Sequence, residues 1–281
     1  MENYYKDLTG RNIGVAILDT GIYPHADFEN RILVFKDFVK YRNTPYDDNG
    51  HGTHVAGILG GNGIASNGKY RGVAPKCNLI ILKVLDHKGN GSKGNVLKAL
   101  DWIHLNRKRY NIRIINISVG TTQTENKEHN DLITAVEKAW DNNLAVVTAA
   151  GNMGPDSGSV TAPGSSKKVI TVGCSDMITS NHGISGRGPT KHCICKPDIV
   201  APGNGIISCS AKAGGRSYTV KSGTSMSTPM VSGGIALLME KYPNISNLEI
   251  KIRLRETAKD MGYPHNLQGW GAFSIQDFLA N

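Results

Sequence analysis

The sequence predicts an α/β fold with a mostly parallel central sheet and helices on both faces. Runs rich in Val, Ile and Leu alternate with helical patterns, and they are apolar on both sides, as in strands covered by two helix layers. This regular alternation of strand and helix is typical of a parallel α/β sheet. Neither a repeat nor a linker interrupts the chain, so we expect residues 1–281 to form a single domain.

Five apolar runs predict the strands. The first run, residues 13–18, ends in a polar loop directly before Asp19, and the others cover residues 78–85, 112–119, 144–149 and 169–172. Helical patterns predict helices over residues 96–109, 130–142 and 246–257. One further helix is expected to begin at His51, and another to follow Thr228 and pass through Leu238 with Pro229 close to its first turn.

The composition restricts the class of protein. The formal charge is +9, but the basic residues are scattered in short clusters, so we interpret them as solvated surface and expect no nucleic-acid binding. No apolar run is long enough to cross a membrane, and no secretory signal is visible. The five cysteines are odd in number and irregularly spaced, which favours a reducing, cytoplasmic setting over a disulfide framework, although secretion stays open if a leader was removed. We expect a monomer.

Three polar residues follow predicted strands, where the ligand crevice of such a sheet lies. Asp19 follows the first strand directly, and Ser118 and Asn152 come at or after the ends of two others. A carboxylate there can orient a catalytic histidine, and an Asn amide can donate to an oxyanion. Taken alone, both Asp19 and Asn152 are better explained as turn residues.

The segment of residues 51–57 holds two histidines, His51 and His54. Two histidines on one helix face can bind zinc, but the metalloprotease pattern needs a spacing of i, i+4 with a Glu between them, which this segment lacks. We expect His51, at the start of the helix, to face the crevice as a general base. His54, one turn later, is interpreted as a core histidine.

Ser225 lies in a run of small hydroxyl residues before Pro229. Such a run is also typical of a helix cap. The segment is not the nucleophile elbow of the α/β-hydrolases, because the second glycine of that motif is missing. A serine at a helix N-terminus is well placed as a nucleophile, because the backbone N–H groups there stabilise a developing oxyanion.

Together, residues 17–21, 51–57, 149–152 and 222–229 resemble the motifs of the subtilisin-like serine proteases (subtilases), and the match extends from about residue 10 to about residue 273. The resemblance implies a serine endopeptidase with Ser225 as nucleophile, His51 as base, Asp19 as its orienter and Asn152 as oxyanion donor. It also implies that two segments bind an extended protein or peptide substrate. Their residues are Leu85, Gly89, Asn90, Gly91, Ser118, Val119 and Gly120.

Residues 67–75, 187–189 and 196–203 are similar to the intracellular AprX-like branch of the bacterial subtilases. Val119, Met153 and residues 161–164 would line the primary pocket with apolar or small groups, which favours an apolar residue before the scissile bond. Cys193 and Cys195 stand where that branch has a polar turn; we interpret them as surface thiols, with a metal site as the alternative.

Three questions stay open on the sequence. No pro-region is recognisable before Asp19, so either one was removed or the protein is restrained in another way. No cofactor is expected; structural calcium is left open but is not supported, because the loop of residues 60–68 has no carboxylate. The alternative to an active protease is a catalytically idle subtilase-fold scaffold that binds a partner, but a scaffold of this kind usually lacks at least one catalytic residue.

Overall fold

The computed structural model describes residues 7–120, 127–178, 184–212 and 214–280. Seven parallel strands form the central sheet of this part of the chain, and two further strands form an antiparallel hairpin. The sheet strands are β1 (Gly14–Asp19), β2 (Ile32–Asp37), β3 (Asn78–Lys83), β4 (Ile112–Ile117), β5 (Ala145–Ala149), β6 (Ile170–Cys174) and β7 (Ile199–Ala201). The hairpin strands are β8 (Ile206–Cys209) and β9 (Tyr218–Lys221).

Seven α-helices surround the sheet in the described residues. They are α1 (His51–Gly60), α2 (Lys93–Asn106), α3 (Lys127–Asp141), α4 (Thr224–Lys241), α5 (Asn247–Thr257), α6 (His265–Gln268) and α7 (Ile275–Leu279). Helices α1 and α4 pack together and against the sheet, while α2 and α3 form a second pair that also contacts it. The predicted α/β fold with a parallel sheet is therefore confirmed.

The strand order is β2-β3-β1-β4-β5-β6-β7, so β1 lies between β3 and β4. The chain leaves β1 towards one edge of the sheet and, after β3, continues on the other side of β1. Ligands bind in open parallel sheets at the carboxyl ends of the strands beside such a reversal. Asp19 is the last residue of β1, so the topology places its carboxylate in this crevice.

All five predicted strands are present, and their ends differ from the predicted ones by no more than two residues. Their side chains are almost entirely buried, which is why continuous apolar runs predicted them. The prediction missed β2, β7 and the hairpin. Strand β2 is a half-exposed edge strand, and the other three have only three or four residues each, too few to show a period.

Helix ends were predicted less well than strands. Helix α4 begins at Thr224, earlier than predicted, so Pro229, which was expected close to the start of the helix, lies inside it. A proline there removes only one helical hydrogen bond, and the helix is buried along most of its length, so packing sustains it. Helix α5 begins as predicted, with the Ser246 side chain capping the Glu249 N–H.

One buried lysine connects the sheet to the loops of the crevice. Lys83, the last residue of β3, is 0% exposed, and its Nζ donates to the Thr20 and Leu85 carbonyls at 2.5 and 2.8 Å and to Asp48 Oδ1 at 2.7 Å. Although partial burial raises the pKa of Asp48, Lys83 and Lys40 lower it to about 2. Lys83 thus holds together the chain segments that follow β1 and β3.

Replacing Lys83 by Met should destabilise the protein by about 3 kcal/mol, because an apolar side chain of similar length leaves the two carbonyls without this donor and removes one of the two lysines that pair with Asp48. Urea unfolding of the variant measures this loss. Lys36→Met on the exposed face of β2 is the matched control and should change the free energy of unfolding by less than about 0.5 kcal/mol. A loss for Lys83→Met as small as that of the control would contradict the assigned role.

Candidate active site

The predicted base and its orienter are in direct contact. Asp19 is 0% exposed at the end of β1, and its Oδ1 lies 2.8 Å from Nδ1 of His51, the first residue of α1. A carboxylate can only accept, so His51 Nδ1 carries the donated proton and the neutral ring keeps a lone pair on Nε2. The ring is thereby held in the tautomer that a general base requires.

Glycine makes this approach of helix to strand possible. A Cβ at Gly52 would lie 2.3 Å from the Gly21 carbonyl oxygen and 3.2 Å from the Asp19 Cβ. No other residue fits there without displacing backbone, which explains the glycine beside the histidine in the motif.

A second carboxylate, Asp47, holds the start of α1 and was missed by the sequence analysis. Its Oδ1 accepts from the Thr20 hydroxyl at 2.9 Å, and its Oδ2 accepts from the Thr53 N–H at 2.9 Å and the Thr53 hydroxyl at 2.6 Å. The Thr20 hydroxyl in turn accepts from the Gly52 N–H at 2.9 Å. Acidic residues just before a predicted helix are typical of N-terminal capping, and this signal could have identified Asp47.

Burial and charge act on the base in opposite directions. Burial alone lowers the pKa of His51, but the Asp19 carboxylate outweighs it, so the pKa lies above the usual histidine value. Asp19 Oδ1 also accepts from the Thr20 N–H at 2.7 Å, while Oδ2 has no partner among the described residues. Both contacts of the carboxylate, with the imidazole and with the Thr20 N–H, are therefore made by the same oxygen.

The predicted nucleophile lies at the N-terminus of α4, as its second residue. Ser225 is 8% exposed, and its hydroxyl donates to the Ser118 carbonyl at 2.7 Å. The structure thus brings Ser225 and Ser118 together. Among the described residues, it shows no hydrogen bond between Ser225 and His51. Catalytic hydrogen bonds are often not yet formed in the absence of substrate.

Asn152 is fixed beside the nucleophile by its side-chain oxygen. Its Oδ1 accepts from the N–H and the hydroxyl of Thr224, each at 3.1 Å. The opposite side of the amide, Nδ2, faces Gly223, where a Cβ would lie 3.1 Å away. Since Asn152 is exposed, its N–H donors remain available to a ligand at the start of α4.

The predicted substrate-binding segments lie on the two sides of β1. Leu85, Gly89, Asn90 and Gly91 follow β3, and Ser118, Val119 and Gly120 follow β4. Because β3 and β4 both pair with β1, the two loops leave the sheet on either side of Asp19. A Cβ at Gly91 would lie 2.5 Å from Leu85 Cδ2, so the first loop folds back closely on itself.

The predicted pocket residues lie beside the second of these loops. Thr161 Oγ1 would lie 2.1 Å from a Cβ at Gly120 and 2.4 Å from one at Gly151, so its hydroxyl packs against both glycines. This hydroxyl is buried and has no hydrogen-bond partner among the described residues. Met153 is 55% exposed, in agreement with its predicted place at a rim.

The structure agrees with the interpretation of His54 as a core residue. Its ring is 0% exposed, and Nε2 lies 3.0 Å from the Ile206 carbonyl and 3.2 Å from that of Thr219. Burial lowers its pKa to about 4. His51 and His54 therefore bind different partners and do not form a zinc pair.

One group of buried residues in the described chain has the composition of a metal site: the ligand atoms of His25, Asp27 and Cys209 lie within 4.8 Å of one another. All three are hydrogen-bonded inside the protein. His25 Nδ1 accepts from the Asp27 N–H at 3.1 Å, Asp27 Oδ2 accepts from the Tyr218 hydroxyl at 2.8 Å, and the Cys209 thiol lies 3.5 Å from Asp27 Oδ2.

Calcium does not fit the loop of residues 60–68. The carboxylate that reaches this loop is Asp27, whose Oδ1 accepts from the Ala65 N–H at 3.0 Å and whose Oδ2 is taken by Tyr218. Calcium needs several oxygen ligands with free lone pairs, and here an N–H donor points at the carboxylate.

Comparison with known proteins identifies the family and the fold. The model of the subtilase family matches residues 10–271. The chain belongs to the subtilase family. It is 40% identical to serine protease AprX of Bacillus subtilis over 97% of the chain and 67% of that protein, and 34% identical to subtilisin Savinase of Lederbergia lenta over 96% of the chain and 92% of that protein.

Solved subtilase structures agree. Sphericase superposes with a TM-score of 0.80 at 30% identity over 94% of the chain and 91% of that structure, and a cold-adapted subtilisin-like serine proteinase with 0.77 at 30% identity over 97% and 90%. The predicted family, its AprX-like character and the class of serine-type endopeptidase are confirmed.

The raised pKa of His51 predicts the acidic limit of activity. The base acts only when neutral, so kcat/KM should fall as the pH drops through the pKa of His51, with a midpoint above 6.5. A pH profile with a neutral peptide substrate measures this midpoint. A midpoint at or below 6.5 would mean that Asp19 does not govern the charge of the base.

Proposed function

We propose that the chain hydrolyses peptide bonds with Ser225 as nucleophile, His51 as general base and acid, Asp19 as orienter and Asn152 as oxyanion donor. The observation that carries the proposal is the 2.8 Å contact between Asp19 Oδ1 and His51 Nδ1, which leaves the basic lone pair on Nε2. All four residues are present, which favours an enzyme over an idle scaffold.

Substrate binding itself prepares the nucleophile. In an extended substrate between the two loops, a backbone N–H competes with Ser225 for the Ser118 carbonyl. The displaced Ser225 hydroxyl then turns to His51 Nε2. The hydrogen bond between Ser225 and Ser118 is thus a resting contact that the substrate replaces.

In the reaction, Ser225 Oγ attacks the scissile carbonyl while its proton passes to His51 Nε2. The oxyanion that forms accepts from Asn152 Nδ2 and from the backbone N–H groups at the start of α4. When the carbon–nitrogen bond breaks, the leaving amine takes the proton from His51. Water then attacks the acyl-enzyme with the same proton transfers and releases the acid and the free serine.

Specificity is broad, with an apolar preference before the scissile bond. Leu85, Gly89, Asn90 and Gly91 on one side, and Ser118, Val119 and Gly120 on the other, bind the substrate backbone, whatever its sequence. The pocket beside the second segment includes Val119, Met153 and residues 161–164 and has no carboxylate, so burying Lys or Arg there is unfavourable.

The wider context is proposed on the same basis. Residues 1–281 act as one catalytic domain and a monomer in the cytoplasm, with protein or peptide substrates, no cofactor, and neither nucleic acid nor membrane as a partner. The five cysteines are free, which supports a reducing compartment. In the described part of the chain, helices long and apolar enough to cross a membrane do not occur.

Ser225→Ala should lower casein hydrolysis by several orders of magnitude and abolish labelling by a fluorophosphonate probe, with the fold retained on circular dichroism. Near wild-type turnover by folded Ser225→Ala would overturn the mechanism.

Asn152→Ala should lower kcat by about 10²–10³ with little change in KM, because the oxyanion exists mainly in the transition state. A loss confined to KM for Asn152→Ala would make that residue a substrate-positioning group.

A peptide library analysed by mass spectrometry tests the pocket. We expect cleavage after Leu, Met, Phe or Tyr, with differences of about 1–3 kcal/mol among them. A dominant preference for Lys or Arg before the cut would show that the lining is assigned wrongly.

A further inference from the structure

The β8–β9 hairpin forms a wall beside the catalytic base. His54 Nε2 in α1 contacts the Ile206 and Thr219 carbonyls of the two hairpin strands. A Cβ at Gly50, directly before His51, would lie 3.5 Å from the Ala211 Cβ in the hairpin loop. The hairpin therefore borders the site at the N-terminus of α1.

This wall lies on the leaving-group side of the scissile bond. In the proposed mechanism, the acyl half of the substrate occupies the loops after β3 and β4, and the amine leaves towards His51 Nε2. The part of the substrate that follows the scissile bond must therefore lie against residues beside His51 other than those two loops. The hairpin occupies this position.

The hairpin and the loop packed on it carry positive charge only. Tyr70 and Tyr218 join the two segments, with ring centroids 4.9 Å apart. Residues 61–77 and 204–222 contain no Asp or Glu. Three cations lie on the hairpin and its loop, and none of them is in an ion pair with a described residue; we call these three the basic rim: Lys212, Arg216 and Lys221.

Lys221 is the member of the basic rim nearest to the chemistry. It is the last residue of β9, four positions before Ser225, and it is half-buried whereas the other two are exposed. Its charge acts on both histidines of α1, since it lowers the pKa of His51 and of His54. A charge so placed acts on a ligand beside His51 more strongly than the exposed members do.

The neighbouring carboxylates do not neutralise the rim. Asp27 beneath the hairpin is 0% exposed and accepts from Tyr218. Asp47 is engaged by the first turn of α1, and Asp48 pairs with Lys83 at 2.7 Å and with Lys40 at 2.9 Å. Asp176, next to the start of the hairpin, accepts from the N–H groups of Gly203 and Asn204 at 2.9 and 3.1 Å. None of these carboxylates forms an ion pair with the rim.

We propose that the basic rim binds acidic side chains in the substrate segment that follows the scissile bond. The preferred substrates then carry Asp or Glu in the first positions after the cut, behind an apolar residue before it. This inference rests on the proposed active site, which defines the two sides of the bond. It adds a substrate class that the apolar pocket alone does not provide.

The test uses binding, so that it does not depend on turnover. Three fluorescent peptides share the same apolar residue before the bond and carry two Asp, two Gln or two Lys after it. Their Kd for the Ser225→Ala protein is measured by anisotropy at low and at high salt. We expect the Asp peptide to bind about three- to tenfold more tightly than the Gln peptide at low salt, the Lys peptide more weakly, and the differences to vanish at about 1 M salt.

Charge variants in the Ser225→Ala background locate the effect. Lys221→Gln should remove most of the difference between the Asp and Gln peptides, and Lys221→Glu should reverse it. Lys98→Gln, an exposed site on α2, is the matched control for net charge and should leave the difference intact. Equal Kd values for the Asp and Gln peptides, or an equal loss in the Lys98 control, would overturn the inference.

The two proposals fail in distinguishable ways. If the catalytic assignment is wrong, the protein with Ser225 intact binds these peptides but does not cleave them at the intended bond. If only the rim is assigned wrongly, it cleaves the Asp, Gln and Lys peptides at similar rates.

Discussion

The buried carboxylate of Asp19 constrains both the fold around β1 and the chemistry beyond it. A carboxylate at 0% exposure is unfavourable unless donors surround it, and here they are the His51 ring and the Thr20 N–H. To supply the ring, α1 must begin within contact of the end of β1. Two features meet that requirement. Gly52 permits the close approach of α1 to β1, and the hydrogen bonds of Asp47 with Thr20 and Thr53 hold the start of α1 in place.

The negative charges at this edge are balanced within the sheet. Lys83 ends the strand next to β1, and its ammonium lies among the Thr20 carbonyl, the Leu85 carbonyl and Asp48. The same side chain therefore connects the segment that follows Asp19 to the first residue of a proposed substrate-binding loop. Charge burial and the position of that loop both depend on one lysine, and a purely apolar core could not couple them.

The sequence predicted those parts of the fold that depend on local pattern. Strands buried on both faces gave continuous apolar runs, and Asp19, His51 and Ser225 lie in glycine-rich segments because close backbone contacts surround them. Strand β2 and the hairpin were not predictable in this way, since their exposed residues, such as Leu33 and Val220, give no period. The contact between Ser225 and Ser118 joins residues 107 positions apart, so only the folded chain reveals it.

The hairpin and His51 are joined through one helix, so the proposed recognition of acidic side chains is coupled to the proposed base. Its strands are held against α1 by His54, and they approach closely because a Cβ at Gly57 would lie 2.3 Å from Ser208 Oγ. His51 is the first residue of α1 and Lys221 is the last residue of β9, so both belong to the unit that α1 forms with the hairpin. A change at Gly57 or His54 would therefore move the charge of Lys221 relative to the proposed base, although neither residue belongs to the proposed substrate-binding segments.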